Sequence, residues 1–92
     1  MTKYKGQRIA QIKKECDEVA TMLSTKNENY GDSAVNPIQI FSKLSASEAI
    51  LARIDDKLSR IANCGLNDNT EDTLTDLIGY LVLLKIAREN EK

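Results

Sequence analysis

Apolar residues recur every three or four positions through the first third of the chain, which is the spacing of one face of an α-helix. The residues on this face are Ile9, Ile12, Cys16, Val19, Ala20 and Leu23. The pattern predicts a first long helix from about Lys5 to Lys26. On this helix Cys16 is expected to be buried as a small apolar side chain.

The single proline of the chain predicts a second, short helix. Asn36 is a favourable N-cap residue, and proline is common at the first position of a helix. After a polar stretch over 27–35, the Asn36-Pro37 pair therefore predicts a helix from Pro37 to Lys43. The apolar side chains expected to pack inward from it are Ile38, Ile40 and Phe41.

Ser45 and Glu48 have the spacing of a capping box, Ser-x-x-Glu. This pair predicts the start of the next helix, with Ser45 as its cap. This helix should run to about Asn63, where Gly65 suits the left-handed conformation that ends many helices. Its apolar stripe consists of Ile50, Ile54, Leu58 and Ile61. The stripe gives the helix one face for packing and leaves the opposite face for water.

The last helix is predicted to run from a cap at Asn69 or Thr70 to about Arg88. Its middle is apolar on more than one side, which is typical of a helix that is central or lies in a subunit interface. Gly79 interrupts it at a cost of about 1 kcal/mol relative to alanine. We expect Gly79 to mark the close approach of another backbone or of a ligand.

No segment alternates with a period of two, so the predicted fold class is all-α, with residues 1–92 as a single domain. The expected architecture is a small bundle of three long helices and one short helix. A chain of this size buries only about 60–65% of its unfolded surface. The core must also be aliphatic, because aromatic residues make up only 4% of the chain. We therefore expect a homo-oligomer that completes the burial of the helices.

Charge and composition exclude several classes of function. The chain has 13 basic and 14 acidic residues, unlike the strongly basic surface of a duplex-DNA-binding protein. It has no histidine, and its two cysteines, Cys16 and Cys64, lack the spacing of a zinc site. No apolar run reaches the ~20 residues needed to span a bilayer, and no signal peptide is visible. We expect a cytoplasmic protein without a membrane partner.

The polar connector after the first helix carries more functional groups than a link between helices needs. Loops that present several polar groups on a rigid scaffold often bind small ligands. The candidate ligand-binding residues here are Lys26, Asn27, Tyr30, Asp32 and Ser33. The alternative is a plain turn, in which Asn27, Gly31 and Asp32 serve as caps and residues of positive φ.

Three cations form a second candidate set on the third predicted helix. At 100° per residue, Arg53, Lys57 and Arg60 lie along one flank of the apolar stripe. Like charges on one flank repel unless a negative group lies near them. That group could be an acidic side chain such as Asp56. It could also be a phosphate, which arginine binds well through paired hydrogen bonds.

Two acidic pairs form the third set. Asp72 and Asp76 lie one turn apart in a column with Tyr80, and a cation would relieve the repulsion between the carboxylates. An arginine of the preceding helix would make this a structural network, whereas Mg²⁺ would bind the carboxylates together with phosphate oxygens. Glu15 and Glu18 lie on adjacent turns of the first helix, and facing the column they would complete a metal cage inside a bundle.

Three blocks of residues, taken in order, resemble one small family. The blocks are Lys26-Asn27 with Tyr30-Gly31-Asp32-Ser33, then Arg53-x-x-Asp56-Lys57-x-x-Arg60, then Glu71-Asp72-Thr73-Leu74-x-Asp76-Leu77-x-x-Tyr80. Their order and spacing resemble the nucleotide modification associated domain 1 family, found largely in bacteriophages and prophages. The resemblance covers the chain from about Ile12 to Ile86. It implies a role in phage nucleotide metabolism, in the cytoplasm of a bacterial host.

The chain is also distantly similar to the all-α nucleotide pyrophosphatases of the MazG type. Those enzymes use acidic clusters on facing helices to bind Mg²⁺ and cleave nucleoside triphosphates. The resemblance implies that Asp72 and Asp76 match one cluster, and that Glu15 and Glu18 match the other. The acidic set is sparser here than in those enzymes, which favours binding over catalysis.

The residues and the resemblance together predict a protein that binds a phosphorylated nucleotide. One specific use would be to sequester a cyclic nucleotide signal of bacterial antiphage immunity, because binding alone suffices for that task. The alternative is an Mg²⁺-dependent nucleoside triphosphate pyrophosphohydrolase. A third possibility is a plain interaction module whose polar network sets the register of the helices.

Overall fold

Three α-helices make up most of the chain. The structure is a computed structural model that describes residues 2–66 and 72–92, with side chains from residue 5 onward in the first range. The helices are α1 (Thr2–Asn29), α2 (Ala46–Cys64) and α3 (Thr73–Asn90). No strand occurs in these two ranges. The all-α prediction is confirmed for the described chain.

The start of α2 is set by the predicted capping box. Ser45 is the N-cap, in extended conformation (φ −65°, ψ 164°), and its Oγ accepts a hydrogen bond from the Glu48 backbone N–H at 3.2 Å. The Ser45 N–H in turn donates to Glu48 Oε1 at 3.4 Å. At the other end, Gly65 has a φ of +71° and its N–H donates to the Ile61 carbonyl at 2.8 Å. The positive φ was predicted, although the ψ of −169° sends the chain away in an extended direction.

Asp72 caps α3. Its Oδ1 accepts a hydrogen bond from the Thr75 backbone N–H at 3.0 Å, and its Oδ2 accepts one from Thr75 Oγ1 at 2.6 Å. The caps predicted from the sequence, Asn69 and Thr70, lie outside the described residues. The pattern therefore located the last helix correctly but assigned the wrong residue as its cap.

The predicted short helix from Pro37 to Lys43 is absent, because residues 37–45 are not helical. Its apolar side chains do not pack inward either, and Phe41 is 97% exposed. In place of a helix, Lys43 Nζ donates to the Gln39 carbonyl at 2.7 Å, and Gln39 Nε2 donates to the Leu44 carbonyl at 3.0 Å. Gln39 has a φ of +57°, which interrupts any helix. A helix of seven residues needs tertiary packing to form, and here Ile38, Ile40 and Phe41 are all exposed.

The centre of the fold is α3, which packs against both α1 and α2. α2 and α3 form an antiparallel pair, since the Ser47 N–H at the start of α2 donates to Glu91 Oε1, after the end of α3, at 3.2 Å. The buried cluster between them consists of Ala46, Ile50, Ile54 and Ala87, with Val35, Leu77, Tyr80, Leu83 and Leu84 packed against it. This aliphatic core matches the predicted stripe of α2 at its first two positions, whereas Leu58 is half-exposed.

Gly79 lies where α1 approaches α3. A Cβ built on Gly79 would lie 3.0 Å from Leu23 Cδ2 and 3.1 Å from Met22 Cε. A close approach was predicted, but the neighbours are side chains of α1 rather than another backbone or a ligand. The contact explains why a residue without a side chain is present in the middle of a helix.

The first half of α1 leaves the body of the molecule. All residues from 5 to 18 are exposed, and Val19 is the first buried residue of the helix. The predicted burial of Cys16 is therefore wrong for the single chain, because nothing in the described chain covers that part of the helix. None of the three helices is long and apolar enough to cross a bilayer.

Candidate functional site

The connector after α1 folds into consecutive tight turns. The Tyr30 N–H donates to the Lys26 carbonyl at 3.0 Å, and the Asp32 N–H donates to the Asn27 carbonyl at 3.1 Å. Gly31 and Asp32 both have positive φ, of +60° and +66°. These are the turn roles expected for both residues. The turns fold the Tyr30 segment back over the end of α1.

A cavity of about 480 Å³ lies where this connector meets all three helices. This volume is within the range of small-molecule sites in proteins, roughly 300–1,000 Å³. Its lining residues are Met22, Leu23, Lys26, Asn27, Tyr30, Ser33, Ala34, Ala49, Ile50, Arg53, Asp76, Tyr80 and Leu83. The apolar side chains of the lining, which come mostly from the helices, form an apolar wall, and the polar ones, which come from the connector and all three helices, form a polar wall.

Most of the connector candidates line this cavity. Lys26, Asn27, Tyr30 and Ser33 do so, and Arg53 joins them from α2. The remaining three candidates are not among the lining residues. They are Asp32, Lys57 and Arg60.

Asp76 connects the three helices through two ion pairs. Its Oδ2 lies 3.3 Å from Lys57 Nζ on α2, and its Oδ1 lies 3.6 Å from Lys26 Nζ on α1. The side chains of Asp76 and Lys57 are about four-fifths buried, at 21% and 17% exposed. The expected network between an aspartate column and α2 is thus present at Asp76, with lysines where an arginine was expected.

Arg53 differs from these lysines. It is exposed on α2, it lines the cavity, and it forms no hydrogen bond or ion pair with any residue in the described ranges. Among the described lining residues, Lys26 and Arg53 are cations and Asp76 is the one carboxylate. The lining therefore carries a net positive charge, and the guanidinium donors of Arg53 are available to a ligand.

The candidate magnesium ligands do not form one cluster in the described chain. Asp72 uses both carboxylate oxygens to cap α3, Asp76 pairs with two lysines, and Glu18 lies 4.0 Å from Lys14 on the same helix. Glu15 is exposed on the half of α1 that leaves the body. Within 5–66 and 72–92, no three acidic or cysteine side chains are grouped so that they could hold a metal ion.

Among the described residues, two carboxyl groups have lowered pKa values, and each has a local cause. Hydrogen bonds from the side chain and backbone of Thr75 lower the pKa of Asp72. Hydrogen bonds from the side chain and backbone of Ser47 lower the pKa of Glu91. Both groups lie at helix ends, so the shifts report on capping and on the α2–α3 junction rather than on the cavity.

Several cavity residues were not predicted as site residues. Tyr80 was placed in a column with Asp76, and this spacing was the available signal that it faces the same side of α3. The apolar wall, which includes Met22, Ile50 and Leu83, gave no such signal, because core and cavity residues share the same helical periodicity. Comparisons of the chain with protein-family models, with curated proteins and with solved structures find no match, so the geometry of the chain itself carries the functional assignment.

Proposed function

We propose that this protein binds a phosphorylated nucleotide in the cavity between the Tyr30 connector and the three helices. The observation that carries the proposal is the cavity itself, which has Lys26, Arg53 and Tyr30 in its lining although they come from three different elements. A phosphate needs positive charge and hydrogen-bond donors, and a base needs an apolar or aromatic surface. The lining supplies both.

The positive charge supports a phosphate as part of the ligand. Arg53 has its donors free of partners in the described chain, and arginine pairs with two phosphate oxygens at once. Lys26 adds a second positive charge to the lining, from α1. The carboxylate of Asp76 is already balanced by two lysines, so it opposes an anion less than a free carboxylate would.

The ring of Tyr30 supports a base as the other part. Tyr30 lines the cavity while remaining mostly exposed to solvent. An exposed ring can stack on a base and be covered by it, a contact that contributes about 1–3 kcal/mol per base. Asn27 and Ser33 lie in the same wall and offer hydrogen bonds to a base or a ribose.

The specific ligand we propose is a cyclic nucleotide signal of bacterial antiphage immunity, held rather than consumed. The sequence resemblance to a phage and prophage family favours this setting, in the cytoplasm of a bacterial host. A protein that only sequesters a signal needs a cavity with charge and stacking, and it needs no cluster of metal ligands. The short chain and its aliphatic core favour assembly from several copies of the chain.

Isothermal titration calorimetry against a panel of nucleotides and cyclic nucleotides tests the proposal. We expect Arg53→Gln to weaken binding of the best ligand about 10- to 100-fold, the loss typical of a charged hydrogen bond. Arg88→Gln is the matched control, because Arg88 is exposed on α3 and does not line the cavity. If the panel gives no binding, or if both variants lose the same affinity, the assignment of this cavity is wrong.

Asp76→Asn separates binding from hydrolysis. Asp76 also pairs with Lys26 and Lys57, so circular dichroism must first show that Asp76→Asn keeps its helices. For a binding protein we then expect this variant to retain or improve affinity for the nucleotide, because the change removes a negative charge from the cavity. A pyrophosphohydrolase that uses Asp76 as an Mg²⁺ ligand would lose activity. Release of pyrophosphate from nucleoside triphosphates with Mg²⁺, abolished by Asp76→Asn, would replace our proposal with the hydrolase alternative.

A further inference from the structure

The described cations in the lining of the cavity differ in what they already contact. Lys26 Nζ lies 3.6 Å from Asp76 Oδ1, and Asp76 also lines the cavity. Arg53 is exposed and forms no hydrogen bond or ion pair with a described residue. Of these lining cations, one is therefore paired with a carboxylate and the other has its donors available to a ligand.

A second ion pair fixes the position of the Asp76 carboxylate. Asp76 Oδ2 lies 3.3 Å from Lys57 Nζ, and the side chains of both residues are largely buried. Charges that are partly buried are screened less by salt than charges on the surface. The carboxylate is therefore held from α2 while its other oxygen stays near Lys26. The positive charge of Lys26 is thus partly neutralised before a ligand enters.

Nucleotides differ in how much positive charge their phosphates require. A triphosphate carries several negative charges on adjacent groups, whereas each phosphodiester carries a single charge. Taking an anion out of water costs free energy that is offset only by well-placed opposite charges and hydrogen bonds. Arg53 can pair with two oxygens of one phosphate group. The available donors therefore suit one singly charged phosphate group better than a chain of phosphates.

We infer that Asp76 makes the cavity selective for phosphodiesters over polyphosphates, because it holds Lys26 in an ion pair and leaves Arg53 to bind a single phosphate group. Its carboxylate also repels the ligand, and this repulsion grows with the charge of the ligand. Specificity here comes from an element that opposes the wrong ligand as well as from one that binds the right one. The inference rests on the proposed function and adds the residue that selects among phosphorylated nucleotides.

Isothermal titration calorimetry without Mg²⁺ compares cyclic di-AMP and cyclic di-GMP with ATP and GTP. We expect the native protein to bind the phosphodiester of the preferred base at least about tenfold more tightly than the triphosphate of the same base. Asp76→Asn should narrow this ratio to about threefold or less, mainly by tightening the triphosphate, because Lys26 and Lys57 are no longer neutralised. The ratio is the readout, since a loss of folded protein would weaken both ligands alike.

Ser33→Lys tests the same inference without altering the ion pairs of Asp76. Ser33 is exposed and lines the cavity, so a lysine there adds a cation to the lining at little risk to the fold. We expect this variant also to narrow the ratio. Asp55→Asn is the matched control for both variants, because it raises the net charge by the same amount at an exposed position that is not among the lining residues. It should keep the native ratio.

The outcomes separate this inference from the proposed function. A native protein that binds neither class of nucleotide would overturn both. A native protein that binds the triphosphate as tightly as the phosphodiester would overturn the inference alone, because a phosphorylated nucleotide would still bind. So would a ratio that stays at its native value in Ser33→Lys, or in an Asp76→Asn variant whose helices circular dichroism shows to be intact.

Discussion

At the scale of single residues, Gly79 shows how tightly α1 and α3 are joined. The atoms nearest to a Cβ at this position, Leu23 Cδ2 and Met22 Cε, are the ends of flexible side chains. They can move by a few tenths of an ångström but cannot make room for a branched side chain. The glycine is therefore retained for packing, despite its cost to the helix.

Substitutions at Gly79 test this packing. We expect Gly79→Val to lower the free energy of unfolding by about 2 kcal/mol through overpacking. For Gly79→Ala, a helix-propensity gain of about 1 kcal/mol and the small shift of Met22 and Leu23 should nearly cancel. Urea unfolding measures both. Ala52→Val, on an exposed position of α2, is the control and should cost only about 0.5 kcal/mol. An equal loss in Gly79→Val and Ala52→Val would mean that α1 does not pack here.

At the scale of elements, the helix ends depend on short-range hydrogen bonds. Ser45 and Glu48 satisfy each other's donors at the start of α2, and Asp72 accepts two hydrogen bonds from Thr75 at the start of α3. The segment over 37–45 has no comparable support, because a hydrogen-bonded turn at Gln39 replaces its first helical turn. Proline after asparagine indicates a possible helix start, but only packing can stabilise so short a helix.

Asp72 should make the stability of the protein depend on pH. Hydrogen bonds from Thr75 hold the pKa of Asp72 below its usual value in the folded state. Asp72 therefore contributes stability above its unfolded pKa, and this contribution is lost as pH falls through the folded pKa. We expect Asp72→Asn to show a smaller loss of stability on acidification than the native chain, because asparagine caps helices without titrating. Urea unfolding at a series of pH values between neutral and about 2.5 measures this difference.

Asp55→Asn is the control for this experiment. Asp55 is an exposed carboxylate of α2 with no hydrogen bond or ion pair in the described chain. We expect Asp55→Asn to lose as much free energy of unfolding on acidification as the native protein does. If Asp72→Asn and Asp55→Asn lose the same free energy of unfolding as pH falls, the Asp72 cap does not contribute as inferred.

At the scale of the whole molecule, the chain divides into a packed body and a projecting helix. The body contains α2, α3 and the second half of α1, joined by the aliphatic cluster and by the pairs of Asp76. The projecting part is residues 5–18 of α1, which are exposed throughout. This asymmetry gives the molecule its length of 53 Å against widths of 32 and 24 Å.

Hydrogen exchange should detect this division. A helical stretch without tertiary packing is only marginally stable, so its amides open more easily than those of the body. We expect the amides of residues 5–16 to exchange much faster than those of 50–60 in α2. Uniform protection along α1 would contradict the division.

Parts of the fold and of the candidate site could be predicted from the sequence, because the signals for them are local. Helical periodicity, the Ser45 capping box and the positive φ of Gly65 each depend on residues within about four positions of one another. The same reasoning placed Lys26, Asn27, Tyr30, Ser33 and Arg53 among the ligand candidates, and all of them line one cavity. These candidates were chosen by their chemistry and spacing, which do not show where the helices meet.

Tertiary packing decided which side chains face the cavity and which are exposed, because both depend on how the helices are rotated and how they cross. Whether a cation of α2 faces the cavity, as Arg53 does, or pairs with Asp76, as Lys57 does, depends on a rotation that periodicity leaves open. The exposure of Cys16 and Phe41 likewise follows from where α1 and the connector leave the body. An apolar pattern reports that a face is to be covered, but only the fold shows whether the chain itself supplies the cover.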